Sequence, residues 1–434
     1  MDAHLAGLQA VVVRSCGAQA LPNAVREKAK LMLLDTIGCI MAGRVAPELV
    51  ALEAAFARIE SGGFRFPGGA PLSTQAATAV GAIASTWDEG CEGLAYAHGR
   101  PALPVVGALL PLAVMHNAHM DELLKSLAAG YEVGARAGGW LRIKPGMHVD
   151  GNWPGLGVAA AVSRLFGLSA DATLTAMNIA ACQLPASLYL PIKTGDNARN
   201  TYIAHSAWLG LIAAFSAQAG ITAPEQALVE YANNFAAPDP KVPEVDHCFL
   251  LDAYFKLHAS VRHAHYGIEA ARQIREELRG DTRSISAIRL ETYAEAVTYA
   301  GNRSPKAPIQ AQFSVSFGVA AGLRFGGMEA DIYRAPKFGD AELRRLESLV
   351  DLQTQPIATG RAAQLTVIAS GQKYEARCDR VAGDEGMPIS REAIVAKFLR
   401  YSKDAVPEDQ AAAFAASLIE EKESRFRALW ALLV

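Results

Sequence analysis

An acid, a histidine and an arginine share one polar stretch, WDEGCEGLAYAHGRPALP, from Trp87 to Pro104. Asp88 stands ten residues before His98, and Arg100 follows it. A carboxylate and an imidazole are groups that bind and move protons near neutral pH. A second set lies in KLHASVRHAHYGIEAARQI, residues 256–274. A helix capped by Ser260 and running to about Glu277 puts Arg262, His265 and Glu269 on one face. Lys256 then precedes its N-terminus, where free N–H groups and the macrodipole favour an anion. Together these make a cradle for a carboxylate, or else a solvated basic helix end.

Two further loops carry single candidates. GMHVDGN (146–152) sets His148 ahead of a helix of small residues, where a histidine is either chemical or merely structural. KTGDNARNTY (193–202) interrupts two helices and either brings Lys193 or Arg199 into a cleft or simply connects them. GLGVAA (155–160) matches the dinucleotide fingerprint in form, but a loop precedes it where that fingerprint requires a strand. Close helix packing explains these glycines better. HNAH (116–119) spaces two histidines within reach of one metal, yet no third ligand follows. No metal site is expected.

The elements that must position these groups are mostly helices. NAVREKAKLMLLDTIGCIMAG places apolar residues at helical spacing and offers Gly43 as a C-cap. MDELLKSLAAGYEVGARAGGWL and GLGVAAAVSRLFGL repeat the pattern, with alanine dense enough for close packing. The texture changes near Val242. SISAIRLETYAEAVTYA (284–300) alternates as a strand does, and AAQLTVIASGQKYEARCDRV (362–381) reads as a hairpin turning at Ser370-Gly371. Between them, IQAQFSVSFGVAAGLRFGG reads as helix, and helix resumes from Ile389. The expectation is a mainly α protein. A helical domain is built from residues 1–254 and 387–434, with an inserted α+β domain at 255–386.

Composition narrows the function classes. The chain has 434 residues, 51% of them hydrophobic, and a formal charge of −3. No basic cluster with aromatics points to nucleic acid, and no apolar run approaches the ~20 residues that span a bilayer. The N-terminus does not read as a secretory signal. Six scattered cysteines without a C-x-x-C pair fit reduced thiols, so a cytoplasmic protein is expected.

Taken together, KAKLMLLDTIGCIMAG, AAGYEVGAR, GLGVAAAVSRLFGLS, KLHASVRHAHYGIEA, AQFSVSFGVAAGL and GDEGMPISREAIVAKF resemble the MmgE/PrpD family. Its members include 2-methylcitrate dehydratases, cis-aconitate decarboxylases and iminodisuccinate epimerases. The resemblance runs through most of the chain. It implies a helical domain, an α+β lid, an active site between them, a homodimer and no cofactor. It also implies that Asp88, His98, His148 and Lys256 serve the site, with Arg262 and His265 at the family's arginine and histidine. The chain departs from the pattern in several places. It reads Thr86-Trp87-Asp88-Glu89-Gly90 for Asp-Phe-Asp-Asp-Thr, Ala198-Arg199 for Thr-Lys and His258-Ala259 for Tyr-Pro. Phe317 replaces a tyrosine, and Trp208 falls near a decarboxylase lysine.

The chemistry implied is proton removal α to a carboxylate on a small di- or tricarboxylic acid. His148 is the expected base, and His98 the proton donor, oriented by Asp88. Lys256, Arg262, Arg199 and Arg100 hold carboxylates, with Lys193 and His265 as further contacts. A dehydratase and a two-base epimerase share this apparatus. A non-catalytic dicarboxylate-binding homodimer is the third expectation.

Overall fold

Alanine and leucine at helical spacing, with capping hydroxyls at several helix starts, make most of this chain helical. The computed structural model describes residues 3–17, 19–235, 242–354, 360–384 and 386–434. Glu385, in the stretch GDEGMPISREAIVAKF, lies outside them. Among the described residues are twenty α-helices and six strands, two of the strands only two residues long. The protein is mainly α with a small α+β region.

Asn23–Arg44 is the central helix, buried on every side from Met32 to Arg44. A helix apolar all round belongs inside a core. Thr74–Thr86, Ala102–Met115 and Met120–Trp140 pack against it, and Pro154–Leu165, Ala170–Ala181 and Tyr202–Gln218 extend the layer. From the other end of the chain, Arg391–Ser402, capped by the Ser390 hydroxyl, packs back onto Asn23–Arg44. Both chain ends thus build one helical body.

Gly43 does not cap the central helix, which continues to Arg44 with Val45 as its cap residue. Its place is set by packing, because a Cβ there would lie 2.2 Å from the Ala84 carbonyl oxygen. The glycines of GLGVAA also serve packing. A Cβ on Gly157 would lie 2.6 Å from the Gly130 oxygen, so the helices holding them cross backbone to backbone.

Two short strands, β1 (Met147–His148) and β2 (Ser187–Leu188), pair antiparallel within the helical body. The main sheet holds β3 (Ile285–Thr292), β4 (Val350–Thr354), β5 (Ala363–Ala369) and β6 (Gln372–Cys378) in the order β4-β3-β5-β6. β3 pairs parallel with β4 and antiparallel with β5. The hairpin between β5 and β6 turns at Ser370-Gly371, with φ of 50° and 75°, the left-handed pair that a two-residue hairpin turn needs. Along β5 the odd positions from Ala363 to Ala369 are buried, and helix Arg262–Glu277 packs on the sheet. Helix Val315–Phe325 lies against that helix.

The strand expected over 284–300 stops at Thr292. Ala294–Ala300 is a helix, buried at Ala296 and Ala300 after buried Tyr293, which is helical rather than alternating spacing. β4, a five-residue strand, was not foreseen from the sequence. Among the described residues no helix is long and apolar enough to cross a membrane.

Candidate active site

Helix Thr74–Thr86 ends just before Asp88 and Glu89. Glu89 has φ 56°, a left-handed conformation that glycine or asparagine usually takes at a helix end. That turn separates the two acids. Asp88 accepts from Arg334 Nη2 at 2.8 Å, while Glu89 turns the other way. Lys256 Nζ donates to Glu89 Oε1 at 2.8 Å and to the Glu89 carbonyl at 3.1 Å. Arg100 Nη1 and Arg199 Nη2 reach Glu89 Oε2 at 2.9 and 2.7 Å. Glu89, Lys256, Arg100 and Arg199 are all buried.

Local backbone fixes each partner. Gly93 and Tyr254 exchange N–H···O bonds of 3.0 and 2.9 Å, tying the loop to the segment that carries Lys256. Arg100 sits at the mouth of helix Ala102–Met115, and Arg199 in the single turn Asn197–Thr201. Arg199 also donates from Nη1 to Thr86 Oγ1 at 2.9 Å and to Asn200 Oδ1 at 3.1 Å.

His148 joins this cluster. It lies in β1, where its register with Ser187 brings the 187–199 stretch across its ring. Arg199 Nε approaches His148 Nε2 at 3.3 Å. The Asp150 N–H lies 3.2 Å from Nδ1, and the Asp150 carboxylate 3.7 Å away. A neutral imidazole accepts at one nitrogen only, so the tautomer that accepts from Arg199 carries its proton on Nδ1 and gives up the bond from the Asp150 N–H, while the tautomer that accepts that N–H carries its proton on Nε2. Arg100 Nη2 bonds Asp150 Oδ2, closing the ring of charges.

Electrostatics sort the protonation states. Burial alone would raise Glu89, but Arg100, Lys256 and Arg199 outweigh it and hold the carboxyl well below the usual carboxylate range. Asp150 is also lowered, burial being outweighed by Arg100, His148 and Arg199 together. Burial pushes His148 down to about 4, Asp150 opposing and Arg199 and Arg100 assisting, so the ring is neutral at pH 7. Burial lifts Asp88 to about 6 against the pull of Arg334.

The remaining sequence candidates fall elsewhere. His98 projects from a tight turn with φ 52°, in which Leu94 and Gly99 pair. Its ring is exposed, yet the protein packed around it, and then Arg142 and Arg361, push its pKa down. No hydrogen bond links His98 with Asp88 among the described residues. Helix Arg262–Glu277 starts after Val261 and is not capped by Ser260, whose hydroxyl is buried without a partner. Arg262 pairs with Asp384 at 2.6 Å and lies 4.7 Å over the Tyr254 ring. His265 is buried, with Nε2 3.3 Å from the Ser260 carbonyl and its ring 5.2 Å from that of His258. Lys193 is exposed within the short helix Leu190–Thr194. Phe317 is fully buried, and Trp208 Nε1 donates to the Gln75 carbonyl at 2.9 Å.

The sequence reading passed over three members. Glu89 registered only as a departure from an aspartate pattern, and Asp150, two residues after His148, went unremarked. The third is His263, whose Nδ1 lies 2.7 Å from the Tyr293 hydroxyl and whose ring stacks on Tyr299 at 6.1 Å. Tyr299 in turn meets Tyr189, which stacks on His148 at 5.9 Å. An aromatic wall therefore runs from His148 to His263. Burial, then Arg361 and Lys256, holds His263 down to about 3. Alternating histidines in VRHAHYG gave the only sequence signal for it. Among the described residues no group of three or more His, Cys, Asp or Glu is placed to hold a metal ion.

Comparison with known families bears on this site. The N-terminal domain model of the MmgE/PrpD family matches residues 10–238, and the C-terminal domain model matches residues 258–420. No curated protein matches the chain.

Proposed function

The chain belongs to the MmgE/PrpD family, whose members are generally enzymes, dehydratases among them, and from that premise we propose an acid–base lyase. Its substrate is a small di- or tricarboxylic acid, and the reaction begins with proton removal α to a carboxylate. The observation that carries this reading is a neutral, buried imidazole set against three buried cations.

A carbon acid of this kind needs a base, and cations where charge develops. His148 is the base. It is unprotonated at pH 7, and its Nε2 lone pair meets only the long contact from Arg199, which the substrate proton displaces. Lys256 and Arg100 stabilise the enolate-like charge on the substrate carboxylate. Water stays out because the cluster is buried, which strengthens each of these interactions. In a dehydratase the leaving hydroxyl then takes a proton; His98 is held neutral at pH 7, chiefly by burial, so the group able to give it is the His148 imidazolium formed in the first step. The family premise also supports a homodimer, which the mass in solution tests.

A specific observation supports an epimerase as second reading. A two-base proton transfer needs a second base, and His263, at the far end of the ring contacts that run from His148 through Tyr189 and Tyr299, is the candidate. Proton NMR in deuterium oxide with citrate, methylcitrate, cis-aconitate and iminodisuccinate separates the two. Loss of water with an alkene product supports the lyase. Exchange at the α carbon without water loss, abolished in H263F, supports the epimerase. No exchange and no elimination with any of them, alongside tight binding, would make the protein a dicarboxylate binder.

A further inference from the structure

A guanidinium donates from every nitrogen, and one that is largely covered is expected to find acceptors. Arg361 does not. Its side chain is only 33% exposed, and its one ion pair among the described residues is a 3.6 Å approach to Glu295, itself 43% exposed. That distance is too long for a hydrogen bond, and a loose, exposed pair holds little. Among the described residues no hydrogen bond occupies the Arg361 fork.

The sheet fixes where this cation stands. Thr292 pairs with Ala363 across β3 and β5, and its hydroxyl donates to the Ala362 carbonyl at 2.9 Å. Continuing that register sets Arg361 beside Tyr293 and Ala294. The Tyr293 hydroxyl lies 2.7 Å from His263 Nδ1, and its ring meets that of Tyr266 edge-on at 6.1 Å. Arg361 acts on the Tyr293, Tyr266 and Tyr254 phenols, which flank it within the α+β region. From the helical body, His98 feels the same charge. Arg142 acts there too, and its Nη2 donates to the Tyr96 carbonyl at 3.3 Å. Arg361 therefore faces the helical body across the boundary with the α+β region. His263 and Tyr254 each feel both Arg361 and Lys256, and so link this place to the buried cluster.

The local charge is not balanced. Arg361 and Arg142 are positive and Glu295 is negative, while His98 and His263 add nothing at pH 7. Asp384 is taken by Arg262. A surplus positive charge on a planar fork suits a carboxylate. We infer that Arg361 is a second anion subsite, holding the substrate carboxylate remote from the carbon that loses its proton. This rests on the acid–base reading above and deepens it. The cluster at Lys256 takes the carboxylate at the reacting end, Arg361 takes the far one, and an acid with two or more carboxylates spans both.

Succinate and butyrate have carbon chains of equal length and differ by the second carboxylate. The test is their binding to the full chain, by calorimetry at pH 7 and fixed ionic strength. The wild type is expected to bind succinate about tenfold more tightly than butyrate, or better. R361Q removes the charge and should bring succinate to the level of butyrate, with butyrate changed by less than about twofold. Retained butyrate binding shows that the variant is folded. E295Q removes the carboxylate that competes for the guanidinium, and should bind succinate at least as tightly as the wild type. A wild type without preference for succinate would overturn the inference, and that result needs no variant to fold. So would an R361Q that keeps the wild-type preference. An E295Q that loses it as R361Q does would also overturn it, because the Arg361–Glu295 pair would then be structural. Binding is read without turnover. A preference that depends on Arg361, without exchange in deuterium oxide, removes the acid–base reading and leaves the subsite. Exchange without such a preference does the reverse.

Discussion

At the scale of single residues, His148 carries the strongest prediction. H148A should lower kcat/KM by about a hundredfold or more, the usual contribution of a positioned base. Its pKa near 4 also fixes the pH dependence. A base works when unprotonated, so the His148 limb of a kcat/KM profile should stay level from pH 8 to about 5 and fall only as pH approaches 4. A limb centred near 6.5 would mean an imidazole of ordinary pKa and would remove His148 from the role. Residues such as Lys256, Arg100, Arg199 and His148 were legible because their types announce charge and proton transfer, and all four meet at one place. Glu89 was not legible. Which of two neighbouring acids turns toward the cations is settled by one backbone angle, φ 56° at Glu89, and residue type does not encode it. Arg262 and His265 show the same limit. Helical spacing put them on one face, but Asp384 and the Ser260 carbonyl, both from outside the helix, determine where their polar atoms go.

At the scale of elements, the loop that carries Glu89 is held by a second buried acid. Glu92 Oε1 accepts the Ala102 N–H at 2.9 Å, at the start of helix Ala102–Met115, and Oε2 lies 3.3 Å from the Tyr131 hydroxyl. Burial lifts Glu92 to about 8, against the pull of that N–H. The sign follows from linkage. The folded chain holds this proton at a pH where the unfolded chain, near 4.5, has released it. Stability from this group is complete below about 4.5 and falls as pH rises to about 8, by at most about 1.4 kcal/mol per pH unit. Thermal unfolding between pH 5 and 8 should therefore show a declining Tm in the wild type and a flatter one in E92Q, which stays neutral. Parallel slopes for the two proteins would contradict it. Long amphipathic helices and the Ser370-Gly371 hairpin were legible because periodicity and turn chemistry are local. β4 and the end of β3 were not. A five-residue edge strand acquires its identity from the parallel partner it meets, and Tyr293 to Ala300 switches to helical burial only once the sheet's edge is in place.

At the scale of the whole molecule, the returning C-terminal helix does more than complete the helical body. Lys397, on Arg391–Ser402, is buried against Asp35 of the central helix at 2.5 Å, and its Nζ also donates to the Gly90 carbonyl at 2.6 Å. One ammonium group thus joins the two ends of the chain to the residue directly after Glu89. K397M would leave the Asp35 carboxyl buried without its cation, and removing one partner of a buried pair costs about 3–5 kcal/mol. Thermal unfolding should show a clear fall in Tm. Replacing both partners, as D35L with K397M, swaps the pair for apolar bulk and should recover most of that loss, because buried pairs and well-packed apolar groups are often equivalent. The bond to Gly90 is not recovered in the double variant. Its exchange rate in deuterium oxide should therefore stay below that of the wild type even where its Tm does not, since Glu89 and its three cations depend on the position of that turn. A double variant with wild-type Tm and wild-type exchange would show that the C-terminal helix stabilises the body without positioning the site.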